Sequence, residues 1–149
     1  MAKDLLQFRG DFHLNVIKDG KVVDRIVEKN LIIDAGFGLV QNLMKDGLTS
    51  NKISKICFGV LSGNTVSDPE SDWTNIPNVV VTKGISSVTF PTVRSVSFNW
   101  TLLSNEGNGN SIAYYGLKSE GGTLFAAKSR AVIEKSSDIV LEGTWVIHY

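Results

Sequence analysis

The residues able to do chemistry are few and scattered. His13 and His148 are the only histidines and Cys57 the only cysteine in 149 residues. Each histidine alternates with apolar positions on its strand, which predicts solvent-facing or interfacial rings, and neither has Cys, Asp or Glu at metal-ligand spacing. Cys57 sits in the apolar run Ile56-Cys57-Phe58 and reads as a small buried hydrophobe; alone, it forms no internal disulfide. Asp68-Pro69-Glu70-Ser71-Asp72 gathers carboxylates that could hold calcium. It lacks the glycine turn and distal Glu of an EF-hand loop, so a solvated loop with Asp capping is the simpler reading. Asp24, Glu28 and Asp34 are too dispersed to name as a glycosidase pair. The many serines lack a nucleophile-elbow pattern, and Gly107-Asn108-Gly109 lacks the Gly-Lys-Ser/Thr of a phosphate-cradling loop. Asn99-Trp100-Thr101 matches a glycosylation sequon but falls mid-strand. The expectation is no catalytic residue, no metal and no cofactor.

The aromatic residues carry more. Trp73 lies in a polar stretch, Tyr114 and Tyr115 are adjacent so that a strand turns one outward, and Trp145 and Tyr149 lie near the C-terminus. An exposed ring stacks on a sugar or anchors a protein interface. The competing reading of Trp73 is a ring folded over its own domain. With Trp73 and Tyr115 as stacking platforms, the chain would be a carbohydrate-binding module with a host-surface glycan as ligand. With Leu5, Leu6 and Phe8 in an N-terminal arm (residues 1–9), and Trp73, Tyr115 and Tyr149, the same chain would present protein contacts.

Composition narrows the classes. Lys plus Arg number 15 and Asp plus Glu number 15, a formal net charge of zero, with no basic cluster. Nucleic-acid binding, which needs a dense basic patch, is not expected. Copies of the chain would repel one another little. Residues 1–9 contain no apolar stretch of signal-peptide length, and no run of about 18 apolar residues exists to span a membrane. The expected site of synthesis is a reducing cytoplasm.

Most of the chain is strand pattern. In Ser95-Val96-Ser97-Phe98-Asn99-Trp100-Thr101-Leu102, apolar and polar residues alternate with period two, which predicts one buried and one wet face. Ile139, Leu141, Trp145 and Ile147 share a face broken only by Gly143. Phe12, Leu14 and Val16 form another such face, and Lys18-Asp19-Gly20-Lys21 predicts a two-residue hairpin turn into a strand that lies near an edge or keeps a wet face. Leu39, Val40, Leu43 and Met44 recur at helical spacing after Asp34, a candidate cap, and before Gly47, a candidate stop. Gly36 and Gly38 in that helix point to close packing on a sheet or to a frayed start. Residues 53–61 form a strand, 62–77 and 104–111 loops, and 79–82 and 87–90 two short strands or one bulged strand ahead of Pro91. Strands at 112–117, 123–127, 131–133 and 139–147 complete the count. About eight to ten strands at this spacing predict a single mainly β domain over residues 1–149, an antiparallel β-sandwich of jelly-roll-like or related form, with one short helix around 35–46.

Several segments resemble, in order, small structural proteins of tailed bacteriophages and prophages. They are Asn30-Leu31-Ile32-Ile33-Asp34-Ala35-Gly36 with its helix, Ile53-Ser54-Lys55-Ile56-Cys57-Phe58-Gly59 with the Gly63-Asn64-Thr65 loop, residues 96–102 with Asn105-Glu106-Gly107-Asn108-Gly109 and Ile112-Ala113-Tyr114-Tyr115-Gly116-Leu117, and Leu124-Phe125-Ala126-Ala127-Lys128 with Ile133-Glu134-Lys135 and Leu141-Glu142-Gly143-Thr144-Trp145-Val146-Ile147. Similar sequences often carry an acid before the Gly-Leu of the third segment and an Arg in the fourth; here Tyr114 or Tyr115 and Ala127 or Lys128 stand there. The resemblance implies a virion component made in a bacterial host cytoplasm, in the tail, baseplate or fibre region or on the head surface as a capsid decoration. Its partners would be other virion proteins and copies of itself, and it would have no catalysis and no cofactor.

Overall fold

The alternation written into the first strand is what the backbone uses. In a computed structural model, which describes residues 9–46 and 49–149, Phe12, Leu14 and Val16 of β1 (Arg9–Lys18) are buried while Asp11, His13 and Asn15 between them are partly exposed. The chain reverses through Asp19 and Gly20, with φ of 51° and 76°. That is the two-residue turn an Asp-Gly pair favours, because both positions need positive φ. It returns as β2 (Lys21–Ile32), followed by α1 (Asp34–Asp46), a 3₁₀ turn (Thr49–Asn51), β3 (Ile53–Val60), β4 (Val79–Gly84), β5 (Ser87–Thr89), β6 (Ser95–Leu102), β7 (Ser111–Ser119), β8 (Leu124–Glu134) and β9 (Ile139–His148). The segments expected as strands at 123–127 and 131–133 are one strand, β8.

The strands form one curled antiparallel sheet of nine, in the order β4-β3-β7-β8-β2-β1-β9-β6-β5, a half-barrel rather than the expected sandwich of two sheets. Two chain segments cause this. β2 pairs with β1 along its length, and its last residues, Leu31 and Ile32, also pair with β8. It therefore belongs to both halves. β4 and β5 stand at opposite ends of the strand order, yet only Ile85 and Ser86 separate them. Ile85 N–H donates to Ser54 O of β3 (2.8 Å) and Ser86 N–H donates to Asn99 O of β6 (2.8 Å), so the backbone changes partner between adjacent residues.

Inside the curl, Phe12, Phe58, Trp100, Tyr115 and Trp145 are packed ring against ring. Centroids are 4.9 Å apart for Phe12–Tyr115, 5.1 Å for Phe12–Trp145 and 5.3 Å for Phe58–Trp100. Gly143 interrupts the apolar face of β9 for a steric reason: a Cβ there would lie 2.0 Å from Cζ2 of Trp100.

A second apolar cluster forms on the outside of β3, β7 and β8, where Cys57, Ala113, Tyr114 and Ala127 are covered by Leu61, Val66, Trp73 and Ile76. The loop between β3 and β4 is thus a lid on the sheet, and a Cβ on Gly59 would meet Pro77 O at 2.0 Å. At the start of α1, a Cβ on Gly36 would lie 2.3 Å from Phe125 O, so this glycine lets the helix sit directly on β8. Gly38 has nothing that close. Asp34 is the first helical residue, one position later than a cap, and its carboxylate acts on the positive N-terminal end of the helix. Gly47 lies outside the described residues.

Candidate functional site

The dispersed chemistry stays dispersed. Among the described residues no group of three or more His, Cys, Asp or Glu side chains comes together to hold a metal. No described helix is long and apolar enough to cross a membrane. Asp68, Glu70 and Asp72 are exposed on the lid loop. Cys57 is buried, its Sγ 3.4 Å from Gly116 O, and burial pushes its thiol up to about 11 against the opposing pull of Lys118.

Among the described residues, a histidine–carboxylate pair stands on the outer face of the sheet. His148 Nε2 lies 2.8 Å from Asp11 Oδ2, brought there because β1 and β9 are neighbours. Ser95 stands opposite His148 in the β6–β9 register. Its hydroxyl is fully buried and engaged by Thr92, which donates its backbone N–H at 3.0 Å and places its own hydroxyl at 2.8 Å. A nucleophile needs an open approach and a proton path to the imidazole; this serine closes a turn instead. Four residues farther along β6, Asn99 Oδ1 accepts from Thr144 Oγ1 (3.0 Å) and its Nδ2 donates to Ser87 (3.0 Å), a polar ladder that ties β5, β6 and β9 together.

Two aromatic expectations change. Tyr115 is fully buried in the core, so it presents no stacking or contact surface; burial raises its phenol further above the usual tyrosine value, against a smaller opposing effect of Arg130. Tyr114 is buried too, its ring edge-on to Trp73 at 6.2 Å and its hydroxyl accepting the Ser67 N–H at 3.0 Å. The adjacent pair was expected to turn one ring outward. Both are covered because the lid loop makes a second layer over β7. Trp73 is half-buried on this cluster and folds over its own domain. Tyr115 and Lys128, two of the positions where similar sequences carry an acid and an Arg, face each other across β7 and β8. The nearby carboxylate comes from β2: Glu28 meets Arg130 at 3.1 Å and Lys128 at 3.6 Å, closing by charge the seam where β2 leaves the β8 ladder. Leu5, Leu6 and Phe8 lie outside the described residues.

What sequence reasoning did not find is the contrast between the two ends of the half-barrel. At one end, the β1–β2 turn, the loop 103–110 and the β8–β9 turn close over the core with polar groups. Asp19 N–H donates to Asp138 O, Gly109 N–H to Lys135 O, and Lys135 Nζ to Asn108 Oδ1 at 2.9 Å. Lys135 is 2% exposed, and burial lowers its pKa against the opposing charges of Glu106 and Asp138. Lys83 meets Glu106 at 2.5 Å, and that hydrogen bond holds the carboxyl below the usual range.

At the other end, where Arg9, Ser95 and His148 stand in register, the interior opens between α1 and the sheet into a cleft of about 410 Å³. Its described walls are apolar: Val40 and Leu43 of α1, Phe98 of β6, Phe125 of β8, Ile147 of β9 and Tyr149 beyond it, with Lys52 the single charged residue among the described lining residues. Val88 of β5 also lines it, and next along the chain Phe90 is 74% and Val93 93% exposed. Tyr149 is anchored beside them by its N–H to Arg94 O (2.9 Å). Of the expected site residues that are described, Tyr149 alone lines this cleft.

Comparison with protein-family models, with curated proteins and with solved structures gives no match for this chain.

Proposed function

We propose that the chain is a non-enzymatic structural protein that works through protein–protein contact, as a component of a tailed-bacteriophage virion in the tail, baseplate or fibre region. One observation carries the contact part of this reading. Exposed Val88 and Tyr149 line an apolar cleft of about 410 Å³ between α1 and the sheet, with exposed Phe90 and Val93 close along the chain from Val88, and such a patch marks an interaction site in a folded protein. The zero net charge offers little resistance to packing against copies or neighbours. The segment-by-segment resemblance to phage structural proteins supplies the virion setting. A place on the head surface, as a capsid decoration, would use the same surface. The carbohydrate-binding reading is weaker, since Tyr115 is buried and Trp73 rests against Tyr114.

The test is whether the chain travels with particles. Phage particles from the bacterium that encodes it are purified through a density gradient, and their proteins are quantified by mass spectrometry. The chain is expected in the particle band at several copies or more per particle. Recovery only in the soluble lysate, with other virion proteins present in the band, refutes the reading.

A further inference from the structure

Lys135 is buried, at 2% exposure, yet its ammonium meets neutral partners. Nζ donates to Asn108 Oδ1 (2.9 Å) and to Ser136 O (3.1 Å). The two carboxylates whose charges act on it, Glu106 and Asp138, are bridged to Lys83 and Lys18 instead. Its stem is packed with Leu102 and Val81 against Gly107: a Cβ on that glycine would lie 3.3–3.8 Å from all three side chains. Two backbone bonds, Gly109 N–H to Lys135 O and Lys135 N–H to Asn110 O (both 2.9 Å), clamp the loop 103–110 beside the lysine. The Asn108 amide is also held at its nitrogen, where Nδ2 donates to Ser104 O (2.9 Å). With a C=O bond of about 1.2 Å, its carbonyl carbon Cγ is no more than about 4.1 Å from Nζ. Reacting atoms in a productive pair stand about 3–3.5 Å apart, a small rotation away.

We propose that Lys135 and Asn108 join through an isopeptide bond, made by the folded chain itself with Glu106 as the base. Nζ adds to Cγ of Asn108, and the tetrahedral adduct expels Nδ2 as ammonia. One C–N bond forms and one breaks, the proton lost by Nζ passes through the Glu106 carboxylate to the departing nitrogen, and nothing is oxidised or reduced. The attack needs a neutral amine, which burial of the lysine favours. Glu106 is near enough that it and Lys135 each act on the other's charge. The product ties loop 103–110 to the residue after β8 and closes a covalent ring that contains β7 and β8. Such a ring restricts the unfolded chain as a disulfide does, and a chain with a single cysteine has no internal disulfide for that purpose.

The experiment is intact-mass spectrometry of the purified, denatured full chain, followed by peptide mapping. Loss of one ammonia is expected, about 17 Da below the mass of the sequence, together with a branched peptide that holds both Asn108 and Lys135. Asn108 precedes Gly109, and that pair loses the same mass by closing a succinimide, so two variants separate the cases. Lys135→Arg keeps the positive charge and Asn108→Ala removes the acceptor; each is expected at its full sequence mass. Glu106→Gln is expected to leave most chains unlinked. Wild-type protein at full sequence mass overturns the proposal, as does a loss that persists in Lys135→Arg or a map without the branched peptide. Undiminished linkage in Glu106→Gln overturns the role of that carboxylate. The wild-type mass decides even where a variant fails to fold. It is read independently of whether the chain travels with particles, so the bond and the virion reading fail separately.

Discussion

Gly143→Ala tests the account of the core directly. The added Cβ would lie 2.0 Å from Cζ2, 2.2 Å from Cε2 and 2.5 Å from Cη2 of Trp100, where ordinary contact begins near 3.4 Å. The ring would have to move by more than 1 Å. It has little room, being wedged against Phe58 at 5.3 Å, Phe12 at 6.1 Å and Tyr115 at 6.2 Å. Overpacking a core costs about 1–3 kcal/mol, and a rigid ring met by backbone-borne carbon belongs at the upper end. Strand propensity works the other way, since Gly in a strand interior is weaker than Ala by roughly 0.5–1 kcal/mol. A net loss of about 2–3 kcal/mol is expected, a fall in midpoint of about 4–12 °C for a chain of this size. Urea and thermal unfolding followed by tryptophan fluorescence and circular dichroism read both. The same substitution in a Trp100→Leu background is expected to cost under about 1 kcal/mol, because the ring it strikes is gone. Wild-type stability for Gly143→Ala, or an equal cost in both backgrounds, refutes the steric account.

Two other glycines and one carboxylate give further predictions. Gly20→Ala meets no neighbour but must hold a φ of 76°, so a loss of about 1–2 kcal/mol is expected from backbone strain alone, whereas Gly38→Ala, also in open space but inside α1, is expected to gain roughly 0.5–1 kcal/mol; opposite signs in parallel urea titrations are the check. Glu106 has a folded-state pKa below its unfolded value, so its contribution is present above the unfolded pKa and is lost as pH falls through the folded one. Glu106→Gln is therefore expected to flatten the decline in stability below about pH 4.5, by under about 1 kcal/mol for a partly exposed pair, and an unchanged pH profile contradicts the Lys83 assignment.

The parts of the fold that were legible are those set by a single layer of contact. The period of two in β1 reports one covered face, and Asp19-Gly20 reports a turn whose φ values few other pairs adopt, whereas in β6 the expected wet face is partly covered, Ser95 and Ser97 being buried. A second layer leaves a fainter trace. The lid loop is polar on average, yet it holds Val66, Trp73 and Ile76, three side chains that pack on β3, β7 and β8. Their presence buries Tyr114 while the core buries Tyr115, so the alternation that marks a half-wet strand disappears from β7. The half-barrel was hidden for a related reason. Its distinguishing acts, β2 leaving the β8 ladder and Ile85-Ser86 changing partner, depend on register between distant segments, which local pattern does not encode. Gly143 and Gly36 were visible as residues, but their reason lies in Trp100 and Phe125.

The apolar end was illegible because its members are spread from Val40 to Tyr149 and meet only in three dimensions.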